Sequence, residues 1–116
     1  MSPVLWHNPR CSKSRAALEL LRERGLEPVI VDYLKTPPSA AEVEAVVRRL
    51  GAPVKTMMRS DEPEYAQLEL GRDDVGDAEL FAAMASHPRL IQRPILIIGE
   101  RAVVGRPPEK LLELLS

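Results

Sequence analysis

Residues 4–31 read VLWHNPRCSKSRAALELLRERGLEPVIV, and this stretch decides the fold. Val4-Leu5-Trp6-His7 is a short apolar run suited to a buried strand, and Pro9 ends it. A helix is expected from about Ser12 to Arg24. Ala17, Leu18 and Leu21 share one face of it, Arg15, Glu19, Arg22 and Glu23 lie elsewhere, and Gly25 supplies the stop. Val29-Ile30-Val31 reads as a second buried strand. Strand, helix and strand within ~30 residues make a βαβ unit, which implies a parallel strand pair.

Working outward, the middle of the chain is helical. Ser39 followed by Glu42 is a capping-box signature. Behind it Val43, Val46, Val47 and Leu50 repeat at helical spacing, and Gly51 closes the helix. Pro53 permits a short turn through Met57 and Met58. A short helix around Glu64 to Leu68 follows, then one from Asp77 to about Ser86, with Asp77 as its expected cap and Leu80, Phe81 and Met84 as its apolar stripe. His87, before Pro88, reads as a C-terminal cap. The last third returns to strands. Pro94-Ile95-Leu96-Ile97-Ile98 is a buried strand, and Gly99-Glu100 fits a two-residue type II′ turn into Ala102-Val103-Val104. Pro107 opens a final helix carrying Leu111, Leu112 and Leu115. The order β-α-β, helical insertion (about 39–88), β-β-α calls for one mixed four-stranded sheet flanked by helices in a single α/β domain, 1–116.

Composition narrows the function. Its 116 residues suffice for one domain. Sixteen Lys and Arg against seventeen Asp and Glu give a net charge of −1, which removes the bulk electrostatic case for nucleic-acid or membrane-surface binding. No apolar run approaches the ~20 residues of a spanning helix, and no signal-peptide pattern opens the chain. With one cysteine, Cys11, no internal disulfide forms. A soluble, cytoplasmic protein without membrane contact is expected.

A lone cysteine is ordinarily a small buried hydrophobe. Cys11 instead sits in the polar run His7-Asn8-Pro9-Arg10-Cys11-Ser12-Lys13-Ser14-Arg15, between a strand end and a helix start. Backbone N–H groups of a first helical turn favour negative charge there. Arg10, Lys13 and Arg15 add cations and the Ser14 hydroxyl is placed to donate, so each is expected to lower the thiol pKa from about 8.5. Cys11 and Ser14 form a C-x-x-S pattern of the kind found at thioredoxin-like redox sites. A phosphatase-type C-x5-R loop would need arginine where the chain has Ala17, and is excluded.

Three further arginines stand out. Arg59 follows two methionines, Arg93 precedes Pro94 at a strand start, and Arg106 precedes Pro107-Pro108. The ordinary fate of each is a solvated surface. A cation at a helix N-terminus, however, opposes the macrodipole unless it serves an anion, which singles out Arg106. Guanidinium forks match tetrahedral oxygens bidentately, as an oxyanion beside Cys11 would require. His7 either orients the loop or has a purely structural place. Arg48 and Arg49 lie on an outer helix face.

These residues resemble the glutaredoxin-linked arsenate reductase family. The matching pieces are the run at 7 to 15, Tyr-Leu-Lys-Thr-Pro-Pro at 33 to 38, Met-Arg at 58 to 59, Ile-Gln-Arg-Pro-Ile at 91 to 95 and Gly-Arg-Pro-Pro-Glu at 105 to 109. They span nearly the whole chain in family order. The resemblance implies a thioredoxin-like fold, Cys11 as nucleophile, and Arg59, Arg93 and Arg106 as ligands of arsenate and arsenite. It puts His7 and Ser14 at supporting positions and Pro94 at a cis proline. It further implies glutathione as co-substrate and glutaredoxin as partner, with no bound cofactor or metal. Spx-type transcriptional regulators, which bind RNA polymerase, share the fold but use C-x-x-C as a switch, and Ser14 removes that switch. A thiol oxidoreductase acting on a different substrate is the remaining alternative.

Overall fold

The computed structural model describes residues 3–115. Its elements are β1 (Val4–Trp6), α1 (Ser12–Glu23), β2 (Val29–Val31), α2 (Ala40–Leu50), α3 (Pro63–Gln67), α4 (Asp77–Ser86), β3 (Ile95–Ile98) and β4 (Arg101–Val104). Short 3₁₀ segments occupy Val54–Met57, Pro88–Leu90 and Pro108–Leu114. Two compact units result: the described residues up to Thr36 together with those from Arg93 onward, and Pro37–Gln92.

The first unit holds a mixed four-stranded sheet in the order β2-β1-β3-β4, as the sequence pattern required. β1 pairs parallel with β2 and antiparallel with β3, and β3 pairs antiparallel with β4. Leu5 and Leu96 face each other across the β1–β3 ladder and share a core with Ala17 and Leu21 of α1 and Leu111 of the final segment, all of them fully buried. Sheet alternation puts Leu5 and Leu96 on one face, and the α1 stripe covers it. Trp6 stacks on Tyr33, with ring centroids 6.5 Å apart.

The β3–β4 hairpin turns at Gly99-Glu100, with Ile98 opposite Arg101. Gly99 has φ +59° while Glu100 is absent from the positive-φ residues. Positive φ at the first turn position alone is the type II′ signature, and there glycine is needed because L side chains clash.

In the second unit α2 begins with the expected capping box. Glu42 N–H donates to Ser39 Oγ at 3.1 Å, and Ser39 N–H donates to Glu42 Oε1 at 3.0 Å. Val43, Val46 and Val47 are buried, as are Leu80 and Met84 of α4. A single antiparallel bridge joins Met58 to Ile91. No helix among the described residues is long and apolar enough to cross a membrane.

Four expectations need correction. β2 is not buried: Val29 is 53% and Ile30 40% exposed, because β2 is an edge strand with a neighbour on one side only. Gly76, not Asp77, occupies the α4 cap, and Asp77 is the first helical residue, where its carboxylate complements the helix dipole together with Glu79. Phe81 is half-buried, and Ala83 takes the buried place beside Leu80 and Met84. The final segment is 3₁₀ rather than α-helical, with Pro107 as cap and Pro108 first. Its turns close by i→i+3 bonds such as Lys110 N–H to Pro107 O at 3.0 Å.

Gly105 fits where β4 leaves the sheet because it lacks a side chain. A Cβ there would lie 2.8 Å from Leu111 Cδ2 and 3.0 Å from Pro94 Cγ. Leu111 is fully buried, so it has little room to rotate away. Gly105→Ala is therefore expected to destabilise the protein by about 1–3 kcal/mol through overpacking, read as a lower urea midpoint with unchanged slope.

Candidate active site

Cys11 is the N-cap of α1, with φ −96° and ψ 124°. Its carbonyl accepts the first helical bond from Arg15 N–H at 3.0 Å, and its own N–H donates to Asn8 O at 3.0 Å. The Asn8–Cys11 turn is tied further inside: Asn8 Oδ1 accepts from Arg10 N–H at 3.0 Å, an Asx turn of the sort an Asn-Pro pair initiates. Arg15 Nη1 donates to Pro9 O at 2.9 Å. The turn is thus rigidly hung between β1 and α1, with its thiol half-exposed.

Ser14 is wholly buried. Its Oγ accepts from Asn8 N–H at 3.0 Å and shares a 2.9 Å hydrogen bond with His7 Nδ1. The hydroxyl therefore holds the loop, and it is the Ser14 backbone N–H that serves the sulfur. This corrects the expectation that the hydroxyl donates to a thiolate. Burial holds His7 below its ordinary pKa against the opposing pull of Asp32, with Arg22 and Arg15 adding to the depression. The imidazole is accordingly neutral at neutral pH.

Burial pushes the Cys11 thiol up, but the Ser14 N–H, the Arg93 guanidinium and the Lys13 N–H together outweigh it, so the pKa ends below its ordinary value. No capping hydrogen bond of good geometry forms to the sulfur. The donors act through their proximity to the charge a thiolate would carry. The side-chain cations of Arg10, Lys13 and Arg15, expected to lower the pKa, are not among the causes. Exposed charges on a wet surface are screened, whereas the half-buried Arg93 is not.

Arg93 and Arg106 stand together because the hairpin register runs on past the strands. Ile95 pairs with Val104, Gly105 N–H donates to Pro94 O at 2.8 Å, and Arg106 Nε donates to Arg93 O at 3.1 Å. Each arginine precedes a cis proline peptide bond, Arg93-Pro94 and Arg106-Pro107. Arg93 Nε is buried and makes no hydrogen bond among the described residues.

Arg59 lies in the second unit, where its side chain is 17% exposed and engaged by carboxylates. Its Nη1 donates to Glu62 Oε1 and its Nη2 to Asp61 Oδ2 at 3.2 Å. Glu62, 11% exposed, also accepts from Arg89 at 3.2 Å. The sequence reading missed this partner, although a carboxylate three residues beyond an arginine was its visible signal. It also missed the anchoring of the turn by Asn8.

Alkylation of Cys11 followed against pH is expected to show a midpoint below about 8.5. Arg93→Met raises that midpoint. Lys13→Met keeps the backbone amide and leaves the midpoint close to wild type. The depressed pKa of His7 bears on stability. Its folded pKa is depressed, so its contribution is present above about 6.5 and is lost as pH falls below that. Urea unfolding at pH 5 and pH 7 should show a loss on acidification that His7→Gln reduces.

The family model described as ArsC family matches residues 6–114. A Haemophilus influenzae protein named arsenate reductase is 45% identical over 116 residues, covering 99% of this chain and all of its own. An Escherichia coli protein named uncharacterized protein YfgD is 42% identical, over 97% of this chain and 95% of its own. A solved structure titled arsenate reductase from Vibrio cholerae superposes with a TM-score of 0.94 at 48% identity and covers 97% of each chain. With a family match and a superposition that both run nearly end to end, this chain belongs to the ArsC family, whose thioredoxin-like fold it shares.

Proposed function

We propose that this protein reduces arsenate to arsenite through one nucleophilic cysteine, Cys11, with electrons from glutathione and glutaredoxin. The observation that carries the reading is the thiol at the start of α1, its pKa lowered by the Ser14 N–H and by Arg93, whose buried Nε has no partner among the described residues. A donor in that condition suits an oxyanion held beside the sulfur. The names of the Haemophilus and Vibrio relatives point to the same substrate. In this reading Arg59, Arg93 and Arg106 bind the oxyanion. Glu62 and Asp61 take two of the five Arg59 N–H donors. His7, Ser14 and Pro94 support the loop and the arginines.

The chemistry balances with a single thiol. The Cys11 thiolate forms a bond to arsenic, one arsenic–oxygen bond breaks, and that oxygen leaves as water. A glutathione thiolate then attacks Cys11 Sγ. The sulfur–arsenic electron pair passes to arsenic, which departs as arsenite, and Cys11 is left in a mixed disulfide. Glutaredoxin reduces that disulfide and restores the thiol. Two thiols are oxidised for each arsenate reduced. A free thiol at the centre suits the reducing cytoplasm.

Arsenite formation by the purified protein with arsenate, glutathione and glutaredoxin tests the reading. Cys11→Ser abolishes turnover, because a hydroxyl is a far weaker nucleophile near neutral pH. Lysine keeps the charge but loses the planar fork. Arg59→Lys, Arg93→Lys and Arg106→Lys are each expected to lower kcat/KM for arsenate tenfold to a hundredfold, on the order of 1.5–3 kcal/mol. Arg48 is exposed and paired with Glu44 on α2, so Arg48→Lys serves as the control. A Cys11→Ser protein that still makes arsenite overturns the mechanism.

A further inference from the structure

The proposed reaction requires an external thiol to reach Cys11 Sγ, and this inference rests on that reading. Among the grooves of the first unit, two are lined by residues of the turn that leads to Cys11. The larger runs along α1 past His7 and Pro9 and is mainly apolar. Its arginines are already engaged, Arg22 with Glu27 at 2.8 Å and Arg15 with Pro9 O. The second is an open groove of about 440 Å³, lined by Asn8, Pro9, Arg10, Asp32, Leu34 and Lys35. That volume lies within the roughly 300–1,000 Å³ of small-molecule sites.

The second groove differs in its charges. Arg10 and Lys35 are both exposed, and among the described residues neither side chain makes an ion pair or hydrogen bond. Asp32 stands between them in the lining, with Oδ1 accepting from Lys35 N–H at 3.3 Å and its other carboxylate oxygen uncommitted. Two cations without a partner among the described residues and one carboxylate thus line a concave surface to which Asn8, Pro9 and Arg10 of the turn contribute. Arg10 is covalently next to Cys11. Its exposed side chain lines the groove.

We propose that this groove binds the reducing thiol, a small zwitterionic peptide of the glutathione class, with Arg10 and Lys35 taking its two carboxylates and Asp32 its ammonium. Glutathione carries that complement: two carboxylates, one ammonium and a central thiol. Docked there, its sulfur approaches Cys11 from the turn side, leaving the Arg93 side of the thiol for the oxyanion. The same docking selects oxidised glutathione as a disulfide partner of free Cys11. In that exchange the Cys11 thiolate attacks one sulfur of the disulfide, a Cys11–glutathione disulfide forms, and one glutathione thiolate leaves. Electrons and atoms balance without arsenic.

The exchange gives a test independent of arsenate turnover. Rates of mixed-disulfide formation at Cys11 are measured by mass spectrometry with oxidised glutathione and with bis(2-hydroxyethyl) disulfide, which is uncharged. The ratio of the two rates cancels any change in thiol reactivity. In the Arg10→Glu/Lys35→Glu protein the ratio is expected to fall about tenfold, the scale on which local charge complementarity acts on association. An unchanged ratio overturns the proposal. Wild-type protein supplies a second reading that needs no variant. Raising the salt concentration should lower the ratio, and a salt-independent ratio overturns the proposal as well. Should the ratio fall as expected in a protein that makes no arsenite, the groove stands and the reductase reading falls.

Discussion

Ser14 Oγ is the pin on which the site turns. It is wholly buried, accepts from Asn8 N–H and shares a bond with His7 Nδ1. Through those two bonds one side chain of α1 fastens both the end of β1 and the turn before Cys11. His7 N–H in turn donates to Val31 O at 2.9 Å, extending the β1–β2 ladder to the edge of the loop. A polar group this deep must be fully satisfied, or it becomes a liability. Its partners here are all local, so satisfying the serine and fixing the thiol are one event.

The charge at the site comes from the opposite end of the chain. A two-residue turn at Gly99-Glu100 fixes the β3–β4 register, and the same register carries Arg93 and Arg106 to facing positions just beyond the strands. Thirteen residues apart in sequence, they meet because pairing has no freedom to slip once Leu96 is buried against Leu5. Gly105 is the cost of bringing this corner together. The backbone passes so close to Leu111 and Pro94 that no side chain fits.

What the sequence made legible was whatever local chemistry dictates. The capping box at Ser39 and Glu42, the glycine stops at 25 and 51 and the II′ turn all require particular residues at particular spacings, and all were readable. What needed the sheet order was not. Val29 and Ile30 look like core by composition, and only their place at the edge exposes them. Asp77 and Gly76 differ by one residue, the usual uncertainty of a helix start. The site divided in the same way. The unusual setting of Cys11 was plain from its flanking residues. The carboxylates holding Arg59 and the distinction between the Ser14 hydroxyl and its amide depend on side-chain directions that no spacing reports.

The largest difference between expectation and structure concerns which cations matter to the thiol. Arg10, Lys13 and Arg15 lie within four residues of Cys11, yet the guanidinium that lowers its pKa is Arg93, eighty-two residues away. Helix geometry explains this. Side chains of a first turn splay outward into water, while their backbone amides converge on the cap. The loop therefore stabilises a thiolate with its amides and leaves its side chains for other work. Arg15 clamps Pro9 O, and Arg10 faces the groove beside Asp32 and Lys35. Reactivity is set by those amides, Ser14 N–H first, together with a half-buried arginine that screening barely touches. The solvent side keeps exposed, salt-sensitive charges, which suit the recognition of a partner that must come and go.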